Sequence, residues 1–123
     1  MGKVKSNKLK KMKIYHNPRC SKSRETLQLI KDAGVEVEIV DYLKNIPTAE
    51  DLTTILMKLN LKPTDILRKG EAVYKEKFKN SNFNDDEWIK VMIEYPKLIE
   101  RPIVIKGNKA ILGRPPQNVL ELL

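Results

Sequence analysis

At 123 residues and 41% hydrophobic, the chain is long enough for one domain whose core needs no covalent staples. Its single cysteine excludes an intramolecular disulfide, and with it the disulfide-built secreted scaffolds; one cysteine and one histidine cannot supply a usual four-ligand zinc site, so no metal is expected. The net charge is +8, from 24 Lys and Arg against 16 Asp and Glu, which suits an anionic small substrate.

Much of that excess comes first in the chain, as Lys3, Lys5, Lys8, Lys10 and Lys11. The segment has no aromatics and no helical face, so residues 1–12 are expected to be a disordered basic leader. It is not expected to act as an arm for nucleic acid or membrane. No apolar run follows it as in a signal peptide, and none elsewhere approaches the roughly 20 residues that span a bilayer. A cytoplasmic protein is expected.

From residue 13 onward a single domain is predicted. Lys13–His16 is a short apolar-centred run that predicts a strand, broken at Asn17-Pro18. Leu27, Ile30 and Ala33 then recur at helical spacing, with Gly34 placed to end the helix. Val35–Tyr42 alternates apolar and acidic residues, which predicts a second strand, parallel to the first. A helical insert occupies about 48–96. Thr48 to Asp51 has the form of a capping box, and Leu52, Ile55, Leu56 and Leu59 share a face. Short helices are predicted at Pro63–Arg68 and Glu71–Phe78. Asn84 with Glu87 opens another, whose core face is Trp88, Val91, Met92 and Tyr95, and Pro96 ends it.

Ile103 to Ile105 is a β-branched run, Gly107-Asn108 a two-residue turn, and Ala110–Leu112 the return strand. Pro115 and Pro116 open a last helix with Val119, Leu120 and Leu123 facing inward. The order β-α-β, helical insert, β-β-α predicts an α/β fold with a mixed four-stranded sheet flanked by helices, the thioredoxin-like arrangement.

The chemistry concentrates in His16-Asn17-Pro18-Arg19-Cys20-Ser21-Lys22-Ser23-Arg24. The only cysteine lies between a strand and the first turn of a helix, where free N–H groups and the positive dipole end stabilise a thiolate. Arg19, Lys22 and Arg24 add positive charge. A nucleophilic thiolate at neutral pH is expected. A phosphatase loop of the form Cys-x5-Arg needs arginine at 26, where Thr26 stands. A dithiol oxidoreductase needs cysteine at 23, where Ser23 stands. Cys20 therefore acts alone, and any disulfide step must be completed by thiols from another molecule. His16 either favours the thiolate or fills the end of the strand. Pro102, just before the third strand, is the candidate cis-proline, which would turn Arg101 toward Cys20. Arg68, Arg101 and Arg114 are candidate oxyanion ligands, since guanidinium forks donate paired hydrogen bonds.

His16–Arg24, Ile66-Leu67-Arg68-Lys69, Glu100-Arg101-Pro102-Ile103-Val104 and Gly113-Arg114-Pro115-Pro116 together resemble the glutaredoxin-coupled arsenate reductase family. The likeness runs in order from about Lys13 to Leu123. It implies that Cys20 attacks arsenate to form a thiol–arsenate adduct. Arg68, Arg101, Arg114 and the loop residue Asn17 would hold the oxyanion, and His16 and Ser23 would support the thiolate. Glutathione would be the co-substrate with no bound cofactor, and glutaredoxin would regenerate Cys20 in a monomeric enzyme. The alternatives are an Spx-like regulator, whose usual Cys-x-x-Cys switch is absent, and a glutathione-dependent thiol transferase. The Cys-x-x-Ser reading of Cys20 to Ser23 suggests the latter.

Overall fold

The computed structural model describes residues 11–123, so nearly all of the lysine-rich leader lies outside the described residues. Met12 lies within the expected leader 1–12, but it opens strand β1 (Met12–His16) and is fully buried. The reason is alternation: Met12, Ile14 and His16 share one face of the strand, and that face is covered. The described chain divides into two compact units, one holding residues up to Asp41 together with Arg101–Leu123, the other spanning Tyr42–Glu100. The inserted unit is thus wider than the helical stretch 48–96.

In the first unit β1 leads through α1 (Ser21–Asp32) to β2 (Val37–Asp41), and after the insert come β3 (Ile103–Lys106) and β4 (Lys109–Leu112). The strands lie in the order β2-β1-β3-β4, parallel between β1 and β2 and antiparallel elsewhere. This is the mixed four-stranded sheet of a thioredoxin-like fold. Ile14 sits at the centre, level with Ile39 on one side and Val104 on the other. Met12, Ile14, Ile30, Val104, Val119 and Leu122 form the core. Each such buried aliphatic side chain contributes about 1.5–3 kcal/mol relative to exposure. Gly107, at φ 61°, supplies the left-handed position that the β3–β4 hairpin turn needs.

Two faces differ from the hydropathy pattern. On α1 the buried positions are Ser23, Thr26 and Ile30, while Ala33 is exposed and Leu27 half-buried. Two polar residues on that face hide the helical period. The last segment, Pro116–Leu122, is a 3-10 helix and not an α-helix. Three residues per turn bring Val119 and Leu122 onto one buried face and turn Leu120 and Leu123 outward, 56% and 38% exposed.

The second unit carries α2 (Ala49–Leu59), α3 (Ala72–Lys77) and α4 (Asp85–Glu94), with 3-10 turns at Pro63–Ile66 and Pro96–Leu98. Thr48 with Asp51, and Asn84 with Glu87, close complete capping boxes at the starts of α2 and α4. Leu52, Ile55 and Leu56 of α2 and Trp88, Ile89, Val91 and Met92 of α4 are buried, and the two helices are in contact. Trp88 stacks against Tyr74 and meets Phe78 and Phe83 edge-on, with centroids 5.1–6.2 Å apart.

Candidate active site

Strand alternation fixes the first element of the site. His16 continues the buried face of Met12 and Ile14, so its ring meets α1 near that helix's start. There His16 Nδ1 lies 2.6 Å from Ser23 Oγ, which also accepts the Asn17 N–H at 3.0 Å. Because that oxygen already accepts, its own proton is available for an unprotonated Nδ1. Burial holds the His16 pKa below the usual histidine value; Asp41 opposes this, and Lys31 and Arg24 add to it. The ring is therefore neutral at pH 7.

The loop that follows is tied at several points. Asn17 Oδ1 accepts the Arg19 N–H at 3.0 Å, Asn17 O accepts the Cys20 N–H at 3.0 Å, and Arg24 Nη1 donates to Pro18 O at 3.1 Å. Cys20 then occupies the N-cap of α1 with extended backbone. The contrast with the other long helices is informative. α2 and α4 occupy their first-turn amides with side-chain caps and place acidic residues there, whereas α1 has no side-chain cap and no acid in its first turn. Its N–H groups are left for the cysteine sulfur.

Sγ uses them. Burial raises the Cys20 pKa, but hydrogen bonds from the Ser23 N–H, the Arg101 side chain and the Lys22 N–H, with the Arg101 charge, outweigh it and leave the thiol below its ordinary value. Arg114 Nη1 stands 3.8 Å from Sγ and also donates to Arg101 O at 3.2 Å. Both arginines precede cis-prolines, at Arg101-Pro102 and Arg114-Pro115. The half-exposed sulfur therefore sits between a helix N-terminus and two guanidiniums, open to an incoming anion.

The model of the ArsC family matches residues 15–122, a span that contains the whole of this site. The chain belongs to the ArsC family. It is 47% identical over 116 residues to the uncharacterized protein YfgD of Escherichia coli, covering 93% of this chain and 98% of that one. It is 40% identical over 114 residues to an arsenate reductase of Neisseria meningitidis, covering 91% and 97%. Among solved structures, the arsenate reductase from Vibrio cholerae superposes with a TM-score of 0.88 at 43% identity, over 93% of this chain and 98% of that one.

Within this ArsC-family site the residues singled out by sequence take different positions. Cys20, Arg101 and Arg114 converge. Ser23 reaches the sulfur through its backbone N–H, while its hydroxyl is buried against His16. Asn17 is buried, and its carbonyl groups build the loop. Arg68 belongs to the second unit, where Nε pairs with Glu71 at 3.3 Å and Nη1 with Glu100. Among the described residues no three His, Cys, Asp or Glu side chains gather as metal ligands, and no helix is long and apolar enough to cross a membrane. Sequence reasoning missed Thr26 and Gly113. Thr26 entered only as the residue standing where a phosphatase arginine would be, and Gly113 only as the first residue of the Gly113-Arg114-Pro115-Pro116 motif.

The His16 environment makes the fold sensitive to acid. Its folded pKa lies below the ordinary value of about 6.5, so on acidification the unfolded chain takes up this proton first. The stability contributed by the neutral ring is complete above about pH 6.5 and is lost as pH falls through the lower folded value. Thermal unfolding between pH 7 and 5 should show a decline that His16→Asn flattens. An equally steep decline in the variant would assign the acid sensitivity elsewhere.

Proposed function

We propose that the chain reduces arsenate to arsenite through Cys20, with glutathione and glutaredoxin as the electron supply. The observation that carries this reading is the Cys20 sulfur held between the first amides of α1 and the guanidiniums of Arg101 and Arg114. An arsenate oxyanion drawn to the two arginines would place arsenic beside a thiol whose pKa its neighbours hold below the ordinary value. The sulfur attacks arsenic, a sulfur–arsenic bond forms and water leaves. A glutathione thiolate then attacks the Cys20 sulfur, and the electron pair of the broken bond stays on arsenic, which departs as arsenite. Cys20 is left as a mixed disulfide with glutathione, and glutaredoxin returns it to the thiol.

Several features support this electron route. The chain has one cysteine, so the second thiol must come from outside. A lone thiol that must stay reduced suits the cytoplasm, where glutathione is abundant. The similar proteins of N. meningitidis and V. cholerae carry the name arsenate reductase. In this reading the chain works as a monomer with no resident cofactor.

The test is arsenate-dependent NADPH oxidation in the presence of glutathione, glutaredoxin and glutathione reductase. Turnover that requires arsenate, glutathione and glutaredoxin is the expected result. Rapid alkylation of Cys20 at neutral pH with no arsenate-dependent turnover would retain the thiolate and remove the substrate.

A further inference from the structure

Thr26 is fully buried on α1, six residues after Cys20. Its Oγ1 donates to Lys22 O at 2.8 Å and lies 3.4 Å from Gly113 O, so one proton is shared between a carbonyl of its own helix and one 87 residues away. Gly113 in turn donates its N–H to Pro102 O at 2.9 Å. A Cβ at Gly113 would stand 2.7 Å from Pro102 Cγ and 3.0 Å from Thr26 Cγ2, and closer still to Thr26 Oγ1. None of these is the far end of a flexible side chain: one belongs to a proline ring, and the others to a threonine held in place by its hydrogen bonds. The three segments approach this closely because residue 113 has no side chain.

The sequence neighbours of these residues are the groups around the sulfur. Lys22, whose carbonyl holds the Thr26 hydroxyl, also presents its N–H to Sγ. Pro102 follows Arg101, and Gly113 precedes Arg114. The helix that carries Cys20 is thus braced at one buried point against both loops that carry the arginines. We propose that Thr26 and Gly113 are positioning residues whose contact sets the span between the Cys20 sulfur and the guanidiniums of Arg101 and Arg114. Neither touches the reacting atoms. A shift of α1 by a fraction of an ångström changes both distances together, and misplacement of about 1 Å at a reacting centre can cost on the order of 10²-fold.

The substrate half of the test rests on the arsenate reading; the thiolate half does not. Because Cys20 is the only cysteine, the pH dependence of iodoacetamide alkylation reports its thiolate alone. Gly113→Ala should move the alkylation midpoint up by about half a pH unit and raise the arsenate KM about tenfold, with a smaller change in kcat. A Gly113→Ala protein with a lower melting temperature but wild-type midpoint and KM overturns the proposal and leaves simple packing. If Gly113→Ala does not fold, Thr26→Ser and Thr26→Ala decide it. Serine keeps the hydroxyl and should stay near wild type in both readouts while alanine does not, and equal behaviour of the two overturns it. A wild type that reduces no arsenate overturns the substrate reading by itself, and the midpoint comparison then decides the positioning claim.

Discussion

Cys20→Ser should abolish arsenate-dependent turnover, by on the order of 10³-fold or more, while leaving a protein that is at least as stable as the wild type at neutral pH. The loss follows because the amides of Lys22 and Ser23 and the Arg101 guanidinium lower the pKa of a thiol and favour its anionic form, whereas an alcohol in the same place stays protonated. The fold should survive because residue 20 is the N-cap of a helix without a side-chain cap. Serine is among the best N-cap residues, and its oxygen can accept the same first-turn N–H groups that now face sulfur. A second signature concerns pH. The folded pKa of Cys20 lies below that of the unfolded chain, so its stabilising contribution is complete above the unfolded value of about 8.5 and is lost as pH falls through the folded one. The wild type should therefore gain stability on going from acid toward pH 8.5 by an increment that Cys20→Ser lacks. Steady-state rates and melting curves at several pH values check both halves. Retained turnover in the serine variant would remove Cys20 from the chemistry.

The parts of the molecule legible in the sequence are those specified over short stretches. Capping boxes at Thr48 and Asn84, the turn at Gly107 and the alternation through Ile14 all lie within a few residues of the structure they dictate. Cys20 stood out for the same reason, since the strand end, the loop and the first helical turn are contiguous. The misread features have one physical character: a local pattern overridden by a distant partner. Ser23 and Thr26 fall outside the apolar set Leu27, Ile30 and Ala33, yet both are buried, because His16 and Gly113 supply the hydrogen bonds that make burial tolerable. Val119, Leu120 and Leu123 look like an inward helical face, but the segment winds with three residues per turn, so Val119 is buried with Leu122 while Leu120 and Leu123 turn outward. Met12 looks like the end of a lysine tail, and only its pairing opposite Val37 and Lys106 makes it a strand residue. Hydropathy alone carries no trace of these long-range partners.

Arg101→Ala and Arg114→Ala should each lower kcat/KM for arsenate by about 10²–10³-fold, the usual cost of removing one donor from an oxyanion site. The two are expected to differ in a second readout. Arg101 both donates to Sγ and places its charge beside it, so its loss should raise the pH midpoint of Cys20 alkylation. Arg114 stands 3.8 Å from the sulfur and is anchored on Arg101 O, so its removal should weaken the anion site with a smaller effect on the thiolate. Lysine at either position should not restore activity fully, because an ammonium is a point charge and cannot form the paired bonds of a guanidinium. Arg114 is exposed, so its truncation should change stability by no more than about 0.5 kcal/mol. If instead both variants kept wild-type kcat/KM and lost stability, the arginines would be braces for the proline loops, and the oxyanion would have to be held by other groups. A split in which Arg101→Ala alone moves the alkylation midpoint, while both impair arsenate use, would separate formation of the nucleophile from capture of its substrate.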